Sequence, residues 1–342
     1  MTTTFRARAT TAAIATSLLL VAACAGEDAS PAGQSGDDAP GVLRLQDPGN
    51  AGVLAYAKRE GLLEAALAET GTTVEWGGSY ASFTATIDAV HAGSVNVLGG
   101  ATSPVIGYLA TSDDVKIFSV AERSDDPAAP DEDGLVVPAD SDVSSVEDLV
   151  GRRVAVNRGG RGEYLLLLAL QQAGIPFDDV ERVYLNPDEA SSAFATGQVD
   201  AWWAIVRAYP QALANGAKVI LNSSDVPDGD LTIYAARTDL LESDPEAVAI
   251  FLDVVQELTA EANADPEKFQ NVFQTHGPTA TSGEQLALDI ASDTYATVPR
   301  PVGDDDIAKV QDVADFFADN GLVPERVDAA DAVFQLDEVT SP

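Results

Sequence analysis

The sequence predicts an α/β protein of two lobes, and three features point there. From Val42 onward, short apolar strand-like runs alternate with longer helical segments, the pattern of βα organisation. The alternation restarts near Pro138, which gives two βα blocks, roughly 42–137 and 138–231. A mainly helical stretch follows, and 46% of the residues are hydrophobic, enough for packed cores. Open α/β sheets bind ligands at the carboxyl ends of their strands, so a chain of this plan places a cleft between its lobes.

The elements follow in order. Val42–Leu45 is the first strand and runs into the turn-rich Gln46-Asp47-Pro48-Gly49-Asn50. Residues 52–69 carry Leu54, Ala57, Leu62, Leu63, Ala66 and Leu67 at helical spacing. Strand 74–76, helix 82–92 closed by Gly93, and strand 95–98 come next, the last ending in a Gly-rich turn at 99–104. Strands 116–120 and 134–138 complete the first block. The second block opens with a short helix, 144–150, whose first turn holds Glu147 and Asp148 as the helix dipole favours. Strand 153–157 leads through Arg158-Gly159-Gly160-Arg161-Gly162 into the apolar helix 163–173, stopped by Gly174. Strand 180–185, helix 191–196 and strands 200–206 and 218–221 follow. Residues 232–236 read as a strand crossing back, so the predicted lobes are 42–137 plus 232–342, and 138–231. Helical stretches near 244–264, 283–293 and 304–320 close the chain.

The N-terminal region has a different character. Arg6 and Arg8 precede an apolar, Ala-rich run from Ala12 to Ala23, the layout of a secretory signal peptide and too short for a comfortable membrane span. Val21-Ala22-Ala23-Cys24 resembles the bacterial lipobox, and Cys24 is the only cysteine of the chain, without a disulfide partner in it. The expectation is a signal peptide over 1–23 and a diacylated Cys24 that anchors the exported protein to the outer face of the cell membrane. The alternative is ordinary cleavage a few residues away. Residues 24–41 are rich in Gly, Ser, Pro and acid and read as a flexible tether.

Charge and residue types exclude several functions. With 19 basic against 55 acidic residues, the net charge is −36, which argues against nucleic acid because phosphate neutralisation needs Lys and Arg. The acids are spread over loops and helix faces and read as a solvated surface. The two histidines, His91 and His276, have no metal-ligand spacing, and neither a Cys–His pair nor a Gly-x-Ser-x-Gly elbow is present. The expectation is a binding protein without cofactor or metal, not an enzyme.

Several stretches resemble one family. Ala89-Val90-His91-Ala92-Gly93-Ser94-Val95-Asn96-Val97, followed by Ser103-Pro104, is similar to the "L-x-A-G-x-I-D … G-D-x-P" segment of ABC importer proteins for aliphatic sulfonates, nitrate and taurine. Val146 to Val156 resembles their "DLKGKKIAV", and Gly162 to Leu167 their "S-A-H-Y-L-L-L". Asp179 to Leu185, then Ala193 to Trp202, resembles "DDVEIVYLPPADARAAFESGSVDAW". The motifs keep their order over about 42–336, and the sulfonate-binding branch looks closest. The resemblance implies the type II periplasmic-binding-protein fold, with each lobe a mixed sheet flanked by helices and a small organic anion in the interlobe cleft. It also implies ABC permease subunits as partners and a monomeric chain. Nitrate, taurine, a thiamine-precursor pyrimidine or an aromatic acid remain alternative ligands, and an enzyme or sensor on the same fold an alternative class. The chain departs from the pattern at Thr102, which matches a common Asp, and at Val206–Arg207, where many members carry an acid.

Candidate ligand residues follow. Gly159, Gly160 and Arg161 sit at a helix start whose free N–H groups and positive dipole end suit an anion, and Arg161 can add a forked contact. A plain helix-start turn is the alternative; the loop lacks the Gly-Lys-Ser/Thr ending of a nucleotide loop. Arg207, near a strand end, invites either an anionic ligand or a salt bridge to one of the acids. Trp202, Trp203 and Tyr209 can wall a pocket, with strand alternation sending the two tryptophans to opposite faces. The other lobe offers Gln46, Asp47, Asn50, Tyr80, Thr102 and Ser103 after its strands, and Thr232 and Tyr234 at the return crossover.

Overall fold

The computed structural model describes residues 41–80 and 83–336. The expected signal peptide, Cys24 and all of the tether except Gly41 lie outside the described residues.

In chain order the first lobe begins with β1 (Val42–Leu45), α1 (Val53–Glu60), α2 (Leu62–Ala66), β2 (Thr73–Trp76), α3 (Phe83–His91), β3 (Val97–Ala101), α4 (Thr102–Leu109) and β4 (Val115–Ala121). Next come β5 (Asp133–Val137), β6 (Arg153–Val156), α5 (Arg161–Ala173), β7 (Glu181–Tyr184), α6 (Pro187–Ala195), β8 (Ala201–Ile205), α7 (Ala208–Ala214) and β9 (Lys218–Asn222). The chain then returns through β10 (Thr232–Arg237), α8 (Thr238–Ser243), α9 (Pro245–Ala264), α10 (Gly283–Tyr295), β11 (Arg300–Pro301), α11 (Asp304–Asp319) and α12 (Ala329–Ala332).

The strands form two main sheets, in the orders β11-β4-β10-β3 and β7-β6-β8-β5-β9, beside a parallel β1-β2 pair. Asn96 stitches that pair to the first sheet: its side-chain oxygen accepts from the Arg44 N–H at 2.6 Å and its amide donates to the Val42 carbonyl at 2.7 Å. The five-stranded sheet mixes parallel and antiparallel neighbours, whereas the strand pairs of the four-stranded sheet are all antiparallel, not mixed as expected. Both carry helices, so the molecule has the expected two-lobed architecture. One boundary differs from expectation. β5 belongs to the five-stranded sheet, between β8 and β9, so the chain changes lobe before Asp133, not at Pro138. All five residues of β5 are buried, and a strand buried throughout carries no pattern that says which sheet it joins.

The single helix expected over 52–69 breaks at Gly61, whose φ of 68° ends α1 in a left-handed cap and begins α2. Helix α4 begins inside the turn expected at 99–104, and α7 lies in a stretch for which the sequence predicts no element. The largest apolar cluster takes side chains from both lobes, including Val105 and Ile106 of α4, Leu165 and Leu166 of α5, and Phe317 of α11. Each such fully buried side chain contributes about 1.5–3 kcal/mol, so the lobes share a core where α4 meets α5. A second cluster packs α1, α2 and α9 against β1 and the first sheet through Ala57, Leu63, Phe251, Leu43 and Phe118.

Candidate functional site

In the five-stranded sheet, β6 runs parallel to β7 and β8, while β5 is antiparallel to β8 and β9. The carboxyl ends of β6 and β8 therefore share an edge with the start of β5. That edge carries the Gly159–Arg161 loop, Arg207 and Asp133. In the four-stranded sheet, β10 is antiparallel to β3 and β4, so Thr102, Ser103 and the segment entering β10 share an edge as well. The two edges meet at Asp230, which accepts from the Ser103 N–H at 2.8 Å, the Ser103 hydroxyl at 2.6 Å and Arg161 Nη1 at 3.1 Å. Nearby, a Cβ placed on Gly107 of α4 would lie 2.9 Å from the Gly159 carbonyl oxygen, so the lobes touch where a side chain would not fit.

The loop ahead of α5 is folded on itself. The Asn157 carbonyl accepts from the Gly160 N–H at 3.1 Å, and its side-chain oxygen accepts from the Gly162 N–H, also at 3.1 Å. The Gly159 N–H donates to Glu163 Oε2 at 2.7 Å. Glu163 is 2% exposed, and its other oxygen accepts from Arg182 at 3.2 Å and from the Tyr184 hydroxyl at 2.7 Å. The N–H groups of Gly159 and Gly160 are thus turned inward, contrary to the expectation that they face a ligand. A carboxylate at the third helical position is where the helix dipole favours one, and here the chain supplies its own.

Arg161 is engaged too. Its Nε meets Asp133 at 2.8 Å and its Nη2 meets Asp228 at 2.8 Å, in addition to the contact with Asp230. Burial works against the guanidinium charge, but Asp133, Asp230 and Asp228 together outweigh it and hold the group above its ordinary value. Complete burial raises Asp230 above the usual carboxylate range, an effect that Arg161 only partly offsets. The forked ligand contact expected of Arg161 is replaced by an internal one.

The end of β8 is built differently. Trp202 and Trp203 point to opposite faces as alternation requires, yet both are buried. Trp202 packs against Phe194 with ring centroids 5.8 Å apart, so it belongs to the core beneath α6 and does not wall an open pocket. Trp203 lies in the larger cluster with its Nε1 unpartnered. Val206 follows, 68% exposed at φ 49°, a conformation that β-branched residues rarely adopt. Arg207 is exposed; its carbonyl accepts from the Gln211 N–H at 3.4 Å, but its guanidinium has no ion pair or hydrogen bond among the described residues. On the far side, α10 packs against α7. Its Asp293 is pushed up to about 6 by burial and by the nearby Asp289 and Glu132 carboxylates, against a hydrogen bond from Gln270.

In the first lobe, Asn50 is a clamp. Its oxygen accepts from the Phe273 and Gln274 N–H groups at 2.8 and 2.9 Å, and its amide donates to the Gln274 and Thr279 carbonyls at 2.9 and 3.0 Å. Every polar atom of that side chain is used to hold the segment after Phe269, which leaves none for a ligand. Thr102 and Ser103 are fully buried, and the Thr102 N–H donates to the Leu231 carbonyl at 3.0 Å. Asp47 pairs with Lys58 at 2.6 Å. Gln46 is half-buried and accepts from the Thr86 hydroxyl at a long 3.4 Å, and Tyr80 is half-buried against the large cluster. At the return crossover Thr232 is exposed, while Tyr234 packs against Phe118 and Phe251, so Gln46, Tyr80, Thr232 and Arg207 are the candidates left partly or fully open. Glu163, Asp133, Asp228 and Asp230 were not anticipated, because nothing local singles them out among 55 acids.

Known proteins place this geometry. The structure superposes on the periplasmic aliphatic sulphonate binding protein of Escherichia coli with a TM-score of 0.70 at 26% identity, covering 86% of this chain and 98% of that one. A taurine-binding periplasmic protein of Escherichia coli strain K12 is 27% identical over 269 residues, 75% of this chain and 80% of its own length. A desulfurization enzyme shares the fold alone, with a TM-score of 0.60 at 16% identity over 87% of this chain and 98% of its own. The family model described as NMT1/THI5 like matches residues 78–269, a span that includes the two facing edges and both helix starts. The chain belongs to the NMT1/THI5-like family.

Proposed function

We propose that this chain is the solute-capturing component of an ABC importer, exported and held at the outer face of the cell membrane by a lipidated Cys24. In this reading it takes a small organic anion, such as an aliphatic sulfonate, between its two lobes and presents it to the permease as a monomer. The observation that carries the reading is Arg207. In a chain with 55 acids and 19 basic residues, it is an exposed arginine whose guanidinium has no carboxylate partner among the described residues. It also stands at the carboxyl end of a central strand, where α/β sheets bind ligands. A guanidinium forks onto the oxygens of a sulfonate or carboxylate with directional, charge-assisted bonds. Gln46 and Tyr80 offer polar and aromatic contact from the facing lobe. The relatives named for sulphonate and taurine support the same ligand class.

Calorimetry and thermal unfolding with ethanesulfonate, taurine and nitrate test it. The melting temperature should rise with ligand concentration, as linkage requires. Arg207→Ala should abolish that rise while changing the stability of the free protein by no more than about 0.5 kcal/mol. A response only to a pyrimidine or an aromatic acid would remove the sulfonate assignment and leave the class. Turnover of a bound compound would remove the class. Separately, Cys24→Ser should move the protein from the membrane fraction to the soluble one; retention in the membrane would rule out the lipid anchor.

A further inference from the structure

Capture of an anion at Arg207 leaves unexplained the buried ion cluster at the lobe junction. Arg161 opens α5 and spreads its Nε, Nη2 and Nη1 over Asp133, Asp228 and Asp230 at 2.8, 2.8 and 3.1 Å. Asp133 begins β5, where the chain has just left the four-stranded sheet. Asp228 and Asp230 lie on the way back, before β10. One guanidinium therefore grips both connections between the lobes. Asp230 reaches on to the first lobe through the Ser103 N–H and hydroxyl at the start of α4. Asp228 Oδ1 accepts from the Asp230 N–H at 2.8 Å, which fixes the turn between them. Outside the cluster, Arg123 on the first connection donates to Asp131 and to Ser223 ahead of the second.

The cluster is screened from water: the side chains of Asp230, Asp228, Asp133 and Arg161 are 0%, 11%, 8% and 20% exposed. Three carboxylates facing one guanidinium repel one another, and in so dry a setting that repulsion is strong. Among the described residues, Arg161 is the one cation paired with all three. We propose that Arg161 and Asp230 form a latch that sets the relative position of the two lobes in the ligand-free protein, with Arg161 a positioning residue and not a ligand contact. Lobes held together in advance leave less conformational change for ligand binding to drive.

The test needs no ligand, so it stands apart from the sulfonate reading. Spin labels at Glu69→Cys in the first lobe and Gln172→Cys in the second, in a Cys24→Ser background, report the interlobe distance. Arg161→Gln should lengthen and broaden the distance distribution. Arg161→Lys, a point charge in place of a fork, should do so less. Ser103→Ala keeps the ion cluster but cuts one of its bonds to the first lobe, and should give the smallest shift in the same direction. Unchanged distances in a folded Arg161→Gln protein would overturn the latch even if its melting temperature fell. If that variant does not fold, Ser103→Ala decides: a longer distance supports the latch, and an unchanged one overturns it.

Discussion

The helix starts after β6 and after β8 lie on one sheet edge and are built in opposite ways. At α5 the loop N–H groups go to Asn157 and Glu163, and the arginine goes to three aspartates. At α7 the guanidinium has no partner among the described residues, and the valine before it stands in solvent at φ 49°. An anion arriving from solvent would have to displace buried carboxylates at the first and meets no competitor at the second. A glycine-rich helix start with an arginine is a receptive site only where the chain has not placed its own anion there.

The sharpest way to break this comparison is at Glu163. Glu163→Ala leaves the Arg182 guanidinium, the Tyr184 hydroxyl and the Gly159 N–H without their acceptor in a buried place. Loss of about 3 kcal/mol is expected, the scale for breaking a buried charged pair, read as a lower midpoint in urea unfolding. Glu163→Gln keeps an acceptor oxygen and should lose less. If Glu163→Ala is as neutral as Arg207→Ala, the α5 start is not held by its internal anion and the contrast between the two helix starts fails.

How far the sequence reveals this depends on how local each determinant is. Strands such as β1 and β6 are legible because apolar runs flanked by turn residues suffice to place them. Helix α4 is hidden because Thr102-Ser103-Pro104 and Gly107 read as turn. Pro104 in fact sits in the first helical turn, where the absent N–H would have had no partner. Pro210 disguises α7 in the same way. The position of the candidate site, at strand ends and helix starts, is legible from the βα pattern. The partners of its charged groups are not. Arg161 and Arg207 look alike in sequence, and what separates them is Asp133, Asp228 and Asp230, brought from 28, 67 and 69 residues away. Asn50 likewise resembles any polar loop residue until the chain returns from more than 220 residues away to meet it.

The mildest effect is expected at Val206. A left-handed backbone puts the Cβ of an L-residue close to the next carbonyl, at roughly 1–2 kcal/mol. Glycine would escape that strain but gain freedom in the unfolded chain, worth about 0.5–1 kcal/mol in the other direction. Val206→Gly should therefore stabilise the protein by about 0.5 kcal/mol as the difference of the two terms. Exposed at 68%, the side chain gives up little packing when removed. Strain of this kind persists where surrounding structure or function maintains it, and the residue it aims is Arg207, next in the chain. The variant should be slightly more stable in thermal unfolding yet bind ethanesulfonate more weakly, because a freer backbone no longer holds the guanidinium in place. A Val206→Gly protein that binds ethanesulfonate unchanged would show that the strained elbow does not serve the open site. A loss of stability would show that the valine is held by contacts rather than strained for a purpose.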